Sequence, residues 1–268
     1  MGSFDITSIL DFNPPSRICP ACRGLIHDVK YEPAKDDPWG LGGQHSCPVC
    51  EIEFVGDIDE TEPSDPYAGK SVRQHFKDSG WVIDHSELIP HATALAKVVR
   101  QSRGQGNTFF STKPWPTMRT LFEVISQAKY FVHFTTWGIS HQLIGALKMA
   151  SMRVPVYGFA SSIEAHARAE LTEFPDETPN LEAKVIPSSD SIYDAPHQKI
   201  IVIDGLVAFK GSTNLTNAGA RRADRGLDVS ELVTDSVEVT KLNNRYFAPV
   251  WRKLNSPGDT FTLNAGPF

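Results

Sequence analysis

The stretch HQKIIVIDGLVAFKGSTN, residues 197–214, constrains the fold of this chain more than any other. Its run IIVID is apolar and β-branched, as a buried strand is, and LVAFK follows as a second such run. Asp204-Gly205 between them signals a two-residue hairpin turn. With Ile203 paired to Leu206 across that turn, Lys199 would face Lys210 and His197 would face Ser212. The hairpin would then carry Gly211 and Ser212 back beside His197, with Asn214 just beyond. His197 and Lys199 are two apart on a strand and project from one face. An imidazole and a fixed positive charge can therefore meet one phosphate. Asp204 falls at the far end, roughly 20 Å away at about 3.3 Å per strand residue, and reads as a structural turn residue.

The spacing H-x-K-x4-D-x6-G-S-x-N, filled by His197, Lys199, Asp204, Gly211, Ser212 and Asn214, resembles the HKD signature of the phospholipase D superfamily. Upstream, LFEVISQAKYFVHFTTWGISHQLIGALKMASMRVPVYGFA is similar to that superfamily's opening helix, strand, helix and second strand. Downstream, LDVSELV resembles the strand carrying the family's histidine-orienting glutamate, which would be Glu231. The segment GARRADRGLD makes the gap from Asn214 to Glu231 longer than in small bacterial relatives, so Asp228 and Asp224 stay open for that role. The resemblance spans Trp115 to Leu254.

It implies an α/β/α layered domain with a mixed sheet that cleaves phosphodiesters in two displacements. His197 would be the nucleophile, and Lys199 and Asn214 would hold the phosphate oxygens, with a further hydrogen bond from Ser212. No metal is required by this chemistry. The superfamily brings two signatures to one site and this chain carries one, so a homodimer with a shared site is implied.

All four cysteines fall in two knuckles, Cys19-Pro-Ala-Cys22 and Cys47-Pro-Val-Cys50. Paired C-x2-C knuckles suit a tetrahedral zinc ion better than two disulfides. Four sulfurs leave no open position, so the zinc would be structural. His27 and His45 lie between the knuckles and are alternative ligands.

The expected organisation is a zinc ribbon over residues 1–56, a linker and bridging helix over 57–114, a catalytic domain over 115–256 and a flexible tail over 257–268. Within the catalytic domain helices alternate with strands near YFVHFTT, VPVYGFA and EAKVI, ahead of the hairpin, a strand near LDVSELV and a terminal helix. The bridging helix, in HSELIPHATALAKVVRQ, sets Leu88, Ala92, Leu95, Ala96 and Val99 roughly on one side.

A net charge of −6 argues against broad coating of nucleic acid. Local clusters qualify it: Arg100 and Arg103 in one loop, and Arg221, Arg222 and Arg225 just after the hairpin, where they are candidates to contact substrate. His133, His141 and Trp137, where the first strand ends, could reach a ligand crevice but read better as packing residues. No apolar run approaches a membrane span, and the opening MGSFDITSILDF lacks a signal-peptide pattern, so the expectation is cytoplasmic with no membrane partner. Single-signature members resemble the nuclease branch, and zinc ribbons often grip nucleic acid. A nuclease with DNA favoured over RNA is therefore the leading reading. A phospholipase D-type lipid hydrolase is the enzymatic alternative, and an inactive nucleic-acid-binding or assembly module the non-enzymatic one.

Overall fold

The computed structural model describes residues 15, 17–19, 21–26, 44–51, 53–55, 91, 92, 94, 95, 97, 116–161, 163, 165–172, 178, 180–186 and 196–255. Its centre is a six-stranded mixed sheet. Strands β5 (Val132–Thr136), β6 (Val156–Ala160) and β7 (Leu181–Val185) run parallel, while β8 (Lys199–Ile203), β9 (Val207–Gly211) and β10 (Ser230–Val233) form an antiparallel meander. The order is β10-β9-β8-β5-β6-β7, with β8 antiparallel to β5. Strands β5 and β8 are buried along their whole length, so both faces are covered, and apart from His133 and Lys199 their residues are apolar or β-branched. The edges β7 and β10 are only partly buried.

Helices α1 (Pro116–Ser126), α2 (His141–Ser151), α3 (Ala165–Thr172) and α4 (Asn217–Asp224) pack on one face. The register puts Phe134, Gly158 and Ile201 side by side on that face. A Cβ at Gly158 would lie 2.2 Å from the Phe134 ring, so glycine is what lets the phenyl lie flat there. On the other face lie α5 (Ser236–Leu242), a π-helical turn (Asn243–Phe247) and α6 (Ala248–Asn255). There Phe159, Phe247 and Trp251 form their own apolar cluster, with Phe247 stacked on both Phe159 and the buried His133. This is the α/β/α layering with a mixed sheet expected from the sequence.

The hairpin differs from expectation by one residue. Ile203 pairs with Val207, not Leu206, because Asp204, Gly205 and Leu206 all serve as the connection. Asp204 and Gly205 both adopt positive φ, 57° and 69°, as an Asp-Gly turn does. The shift sets Lys199 opposite Gly211, not opposite Lys210.

Asp204 is fully buried, and its carboxylate accepts the backbone N–H groups of Lys129, Tyr130 and Phe131 at 3.0, 2.8 and 2.9 Å. It also meets the Nε2 of buried His91 at 2.5 Å. One side chain thus ties the hairpin turn to the entry of β5 and to the bridging helix. Of that helix, residues 91, 92, 94, 95 and 97 are described, and Ala92 and Leu95 join the core. The segment GDIDETEPSDPYAG, Leu88, Ala96 and Val99, Arg100 and Arg103, and the tail from residue 256 lie outside the described residues.

The cysteine knuckles sit on short hairpins, β1 (Arg17–Ile18) with β2 (Leu25–Ile26) and β3 (Gln44–Ser46) with β4 (Glu53–Val55). The two repeat one geometry. The residue after each second cysteine is left-handed, Arg23 at φ 60° and Glu51 at φ 59°, and its N–H donates to the carbonyl of the first cysteine, Arg23 to Cys19 O and Glu51 to Cys47 O, each at 2.9 Å.

The first knuckle is built into the larger body. Ile18 and Leu25 belong to the main core. Asn244 Oδ1 accepts from Leu25 N at 2.6 Å while its Nδ2 donates to Leu25 O at 2.7 Å, closing a strand-like pair. Asn243 donates to Arg23 O, and the Arg23 guanidinium lies 4.4 Å from the Tyr157 ring.

Candidate active site

His197 is exposed just before the start of β8, an interior strand, and Lys199, two residues on, is buried. The backbone between them is pinned: Ser161 donates to Pro196 O at 2.6 Å, and Thr135 Oγ1 to Gln198 O at 3.3 Å. The Lys199 ammonium donates to His197 O at 2.6 Å and lies 2.7 Å from Nδ1 and 3.2 Å from Nε2. It forms no ion pair with a carboxylate among the described residues. Burial holds Lys199 down to about 8, opposed in part by the Asp228 charge. Burial and the neighbouring Lys199 charge hold His197 below its usual range, favouring the neutral imidazole a nucleophile needs.

Gly211 faces Lys199, and the loop GSTN winds around one carbonyl. Val229 O accepts from Ser212 N at 3.0 Å, Thr213 N at 3.2 Å and Thr213 Oγ1 at 2.8 Å. A Cβ on Gly211 would lie 2.0 Å from that oxygen, so no other residue fits. Asn214 lines a crevice with Lys199, Thr117, Met118 and Thr216, and its Oδ1 is buried without a hydrogen-bond partner. Thr216 caps α4 by accepting from Gly219 N at 2.9 Å.

The orienting carboxylate is where sequence and structure part. Ser230 pairs with Gly211, which pairs with Lys199, so these three share a face. Glu231, one residue on, projects from the opposite face, where it is exposed beside Lys210 at 3.6 Å. It does not meet His197. Asp224 is committed elsewhere, accepting from Thr117 N and Oγ1 at the start of α1. Asp228 is the carboxylate at the site: it accepts from Ser212 Oγ at 3.1 Å and from Arg222 Nε at 2.7 Å. Arg222 and, secondarily, Ser212 and the Lys199 charge hold it below the usual carboxylate range. Ser212 thus gives its proton to Asp228 and accepts from Val229 N at 2.9 Å, rather than standing free for substrate.

Arg221, Arg222 and Arg225 lie at the C-terminal end of α4 and are exposed; Arg222 reaches the site through Asp228. The three residues near the end of β5 divide. His133 is buried in packing and contacts Asn243 Oδ1 at 2.8 Å. His141 is exposed on α2, paired with Glu170 and stacked on His166. Trp137 packs on the His197 ring, a contact the sequence reading set aside; its place just past a strand's C-terminal end was the signal.

Cys19, Cys22, Cys47 and Cys50 are all buried and free, with ligand atoms within 4.8 Å of one another. The Cys19–Cys50 and Cys22–Cys47 sulfurs are 3.6 and 3.5 Å apart. Four sulfurs at about 2.3 Å from a central zinc would stand about 3.8 Å apart, so the cluster fits a tetrahedral metal. His27 lies outside the described residues, and His45 is described only as a strand residue pairing with Phe54.

Sulfate, whose charge is constant near neutrality, should bind at Lys199. Lys199 is charged below about 8 and neutral above it, so sulfate binding should weaken from about pH 7 to about pH 9, approaching tenfold per unit at the top. Lys199→Arg keeps its charge and should flatten that slope. Calorimetric titration checks this, and a slope shared by both proteins would show that another group titrates.

No protein-family model matches the chain, and no curated protein matches it. Among solved structures it is similar to a phospholipase D family member, Nuc from Salmonella typhimurium, at 17% identity over 49% of this chain and 84% of that one, with a TM-score of 0.38. It is also similar to NucT from Helicobacter pylori, at 21% identity over 56% of this chain and 87% of that one, with a TM-score of 0.37. Likenesses this loose assign no chemistry, and the functional argument rests on the site. No helix among the described residues is long and apolar enough to cross a membrane.

Proposed function

We propose that this chain is a phosphodiesterase of the phospholipase D superfamily's nuclease-like branch, cleaving nucleic acid, DNA ahead of RNA, without a catalytic metal. The observation that carries the reading is the buried Lys199 ammonium, without a carboxylate ion pair and touching an exposed imidazole. Such an ammonium is costly unless an anion joins it, and Asn214 lines the same crevice.

In the first displacement a His197 ring nitrogen attacks phosphorus and the bond to the leaving oxygen breaks. That oxygen takes a proton from His197 of a second copy. In the second, water loses a proton to that second histidine and attacks phosphorus, and the phosphorus–nitrogen bond breaks. Lys199 and Asn214 hold the non-bridging oxygens as charge shifts among them. Asp228, through Arg222 and Ser212, keeps the loop in place, and its charge favours the protonated form of Lys199. The four cysteines hold one structural zinc ion.

The test is incubation of purified protein with DNA, RNA and phosphatidylcholine in excess chelator, with zinc content measured alongside. DNA cleavage that survives the chelator is expected. Activity that vanishes and returns with magnesium would overturn the mechanism, and turnover of phosphatidylcholine alone would reassign the substrate.

A further inference from the structure

Trp137 directly follows β5 and is half-buried, yet it belongs to none of the apolar clusters of the described core, unlike Trp251. Its ring lies instead against the His197 imidazole, with centroids 4.8 Å apart and planes inclined by 55°. The backbone that carries it is tied on both sides. Thr136 Oγ1 donates to Gly138 O at 2.7 Å and accepts from Leu215 N at 3.2 Å, and Ser140 N donates to Leu215 O at 3.0 Å. A large aromatic surface is thus held outside the core, beside the histidine and on the loop that braces the GSTN segment.

We propose that Trp137 is a stacking shelf for an unpaired nucleobase next to the scissile phosphate, which makes single-stranded nucleic acid the substrate of this site. The inference rests on the phosphodiesterase reading above and adds to it. A phosphate on Lys199 and Asn214 brings its own nucleotide to the indole. A base inside a duplex has both faces covered by its neighbours, so an indole can take only a base whose face is open. Aromatic shelves bind any base, because every base has a π-face. The rival role is a buttress that merely holds the His197 ring.

The two roles separate on a pair of polymers: single-stranded oligothymidylate and its base-free counterpart, tetrahydrofuran sugars joined by the same phosphodiesters. A stacking shelf predicts that wild-type protein favours the strand with bases by about 5- to 150-fold in kcat/KM. Trp137→Ala should lose more on oligothymidylate than on the base-free chain, by about that factor. Trp137→Phe should keep most of it, which guards against a folding defect. Equal loss on both polymers would show a buttress and overturn the shelf, as would wild-type protein that prefers a paired duplex. Wild-type protein that cuts neither polymer nor duplex would remove the phosphodiesterase reading itself, and the shelf with it.

Discussion

Wild-type protein mixed with an excess of His197→Ala chains, under conditions that let subunits exchange, should lose activity toward the statistical fraction of all-wild-type dimers. With about nine mutant chains per wild-type chain that fraction is about 1%, whereas independent protomers would retain about 10%. The expectation follows from the count of groups at the site. Among the described residues one imidazole reaches Lys199, and the neighbouring histidines, His133 and His141, are committed to packing and to an ion pair. A mixed dimer lacks either the nucleophile or the acid that protonates the leaving oxygen. General acid–base help alone is worth roughly 100- to 10,000-fold. Activity that instead declines in proportion to wild-type chains, with exchange confirmed by mass, would show that each protomer works alone.

The second large effect is on stability. Cys19→Ser or Cys47→Ser should lower the thermal midpoint by roughly 10 °C or more, with loss of bound zinc. Structural zinc contributes about 10–16 kcal/mol in isolated zinc-finger peptides, and about 1 kcal/mol moves the midpoint of a body this size by about 2–4 °C. The knuckles reach the rest of the molecule through Leu25, Asn243 and Asn244, and a Cβ on Gly205 would meet Leu25 at 3.5 Å. They therefore pack by the turn end of the hairpin, while His197 stands at its opposite end. The surviving folded fraction should keep kcat within about twofold, since no reacting group has moved. Unchanged midpoints and no zinc by elemental analysis would remove the metal site.

The sheet and its helices were legible because the central strands are buried on both faces and the helices are not. Val132–Thr136 and Lys199–Ile203 read as strands from β-branched runs, and the Asp-Gly turn announced the hairpin. The register was not legible. Composition does not show that Leu206 belongs to the turn, and that one residue decides what faces Lys199. The orienting acid failed for a related reason. Glu231 sits in a segment of the right character, but strand side chains alternate, and only the register shows that Ser230 takes the face of Lys199. Asp204 reads as a turn residue, but the three backbone N–H groups and the histidine it gathers come from distant sequence and were not legible. The docking of the first knuckle was hidden too, because the paired asparagines that receive it lie in what reads as ordinary helix.

Those asparagines owe their position to the π-helical turn. From Leu242 to Ala248 the helix accommodates an extra residue, so the segments before and after it are out of phase. The upstream segment turns Val239 and Leu242 to the main core, while the downstream one turns Ala248 to the cysteine cluster and Trp251 to the aromatic cluster. Each added or deleted residue rotates everything downstream by about 100°. This stretch therefore accepts substitutions far more readily than changes in length. Its residue count, more than any single side chain, keeps the four-cysteine end of the molecule in step with the sheet.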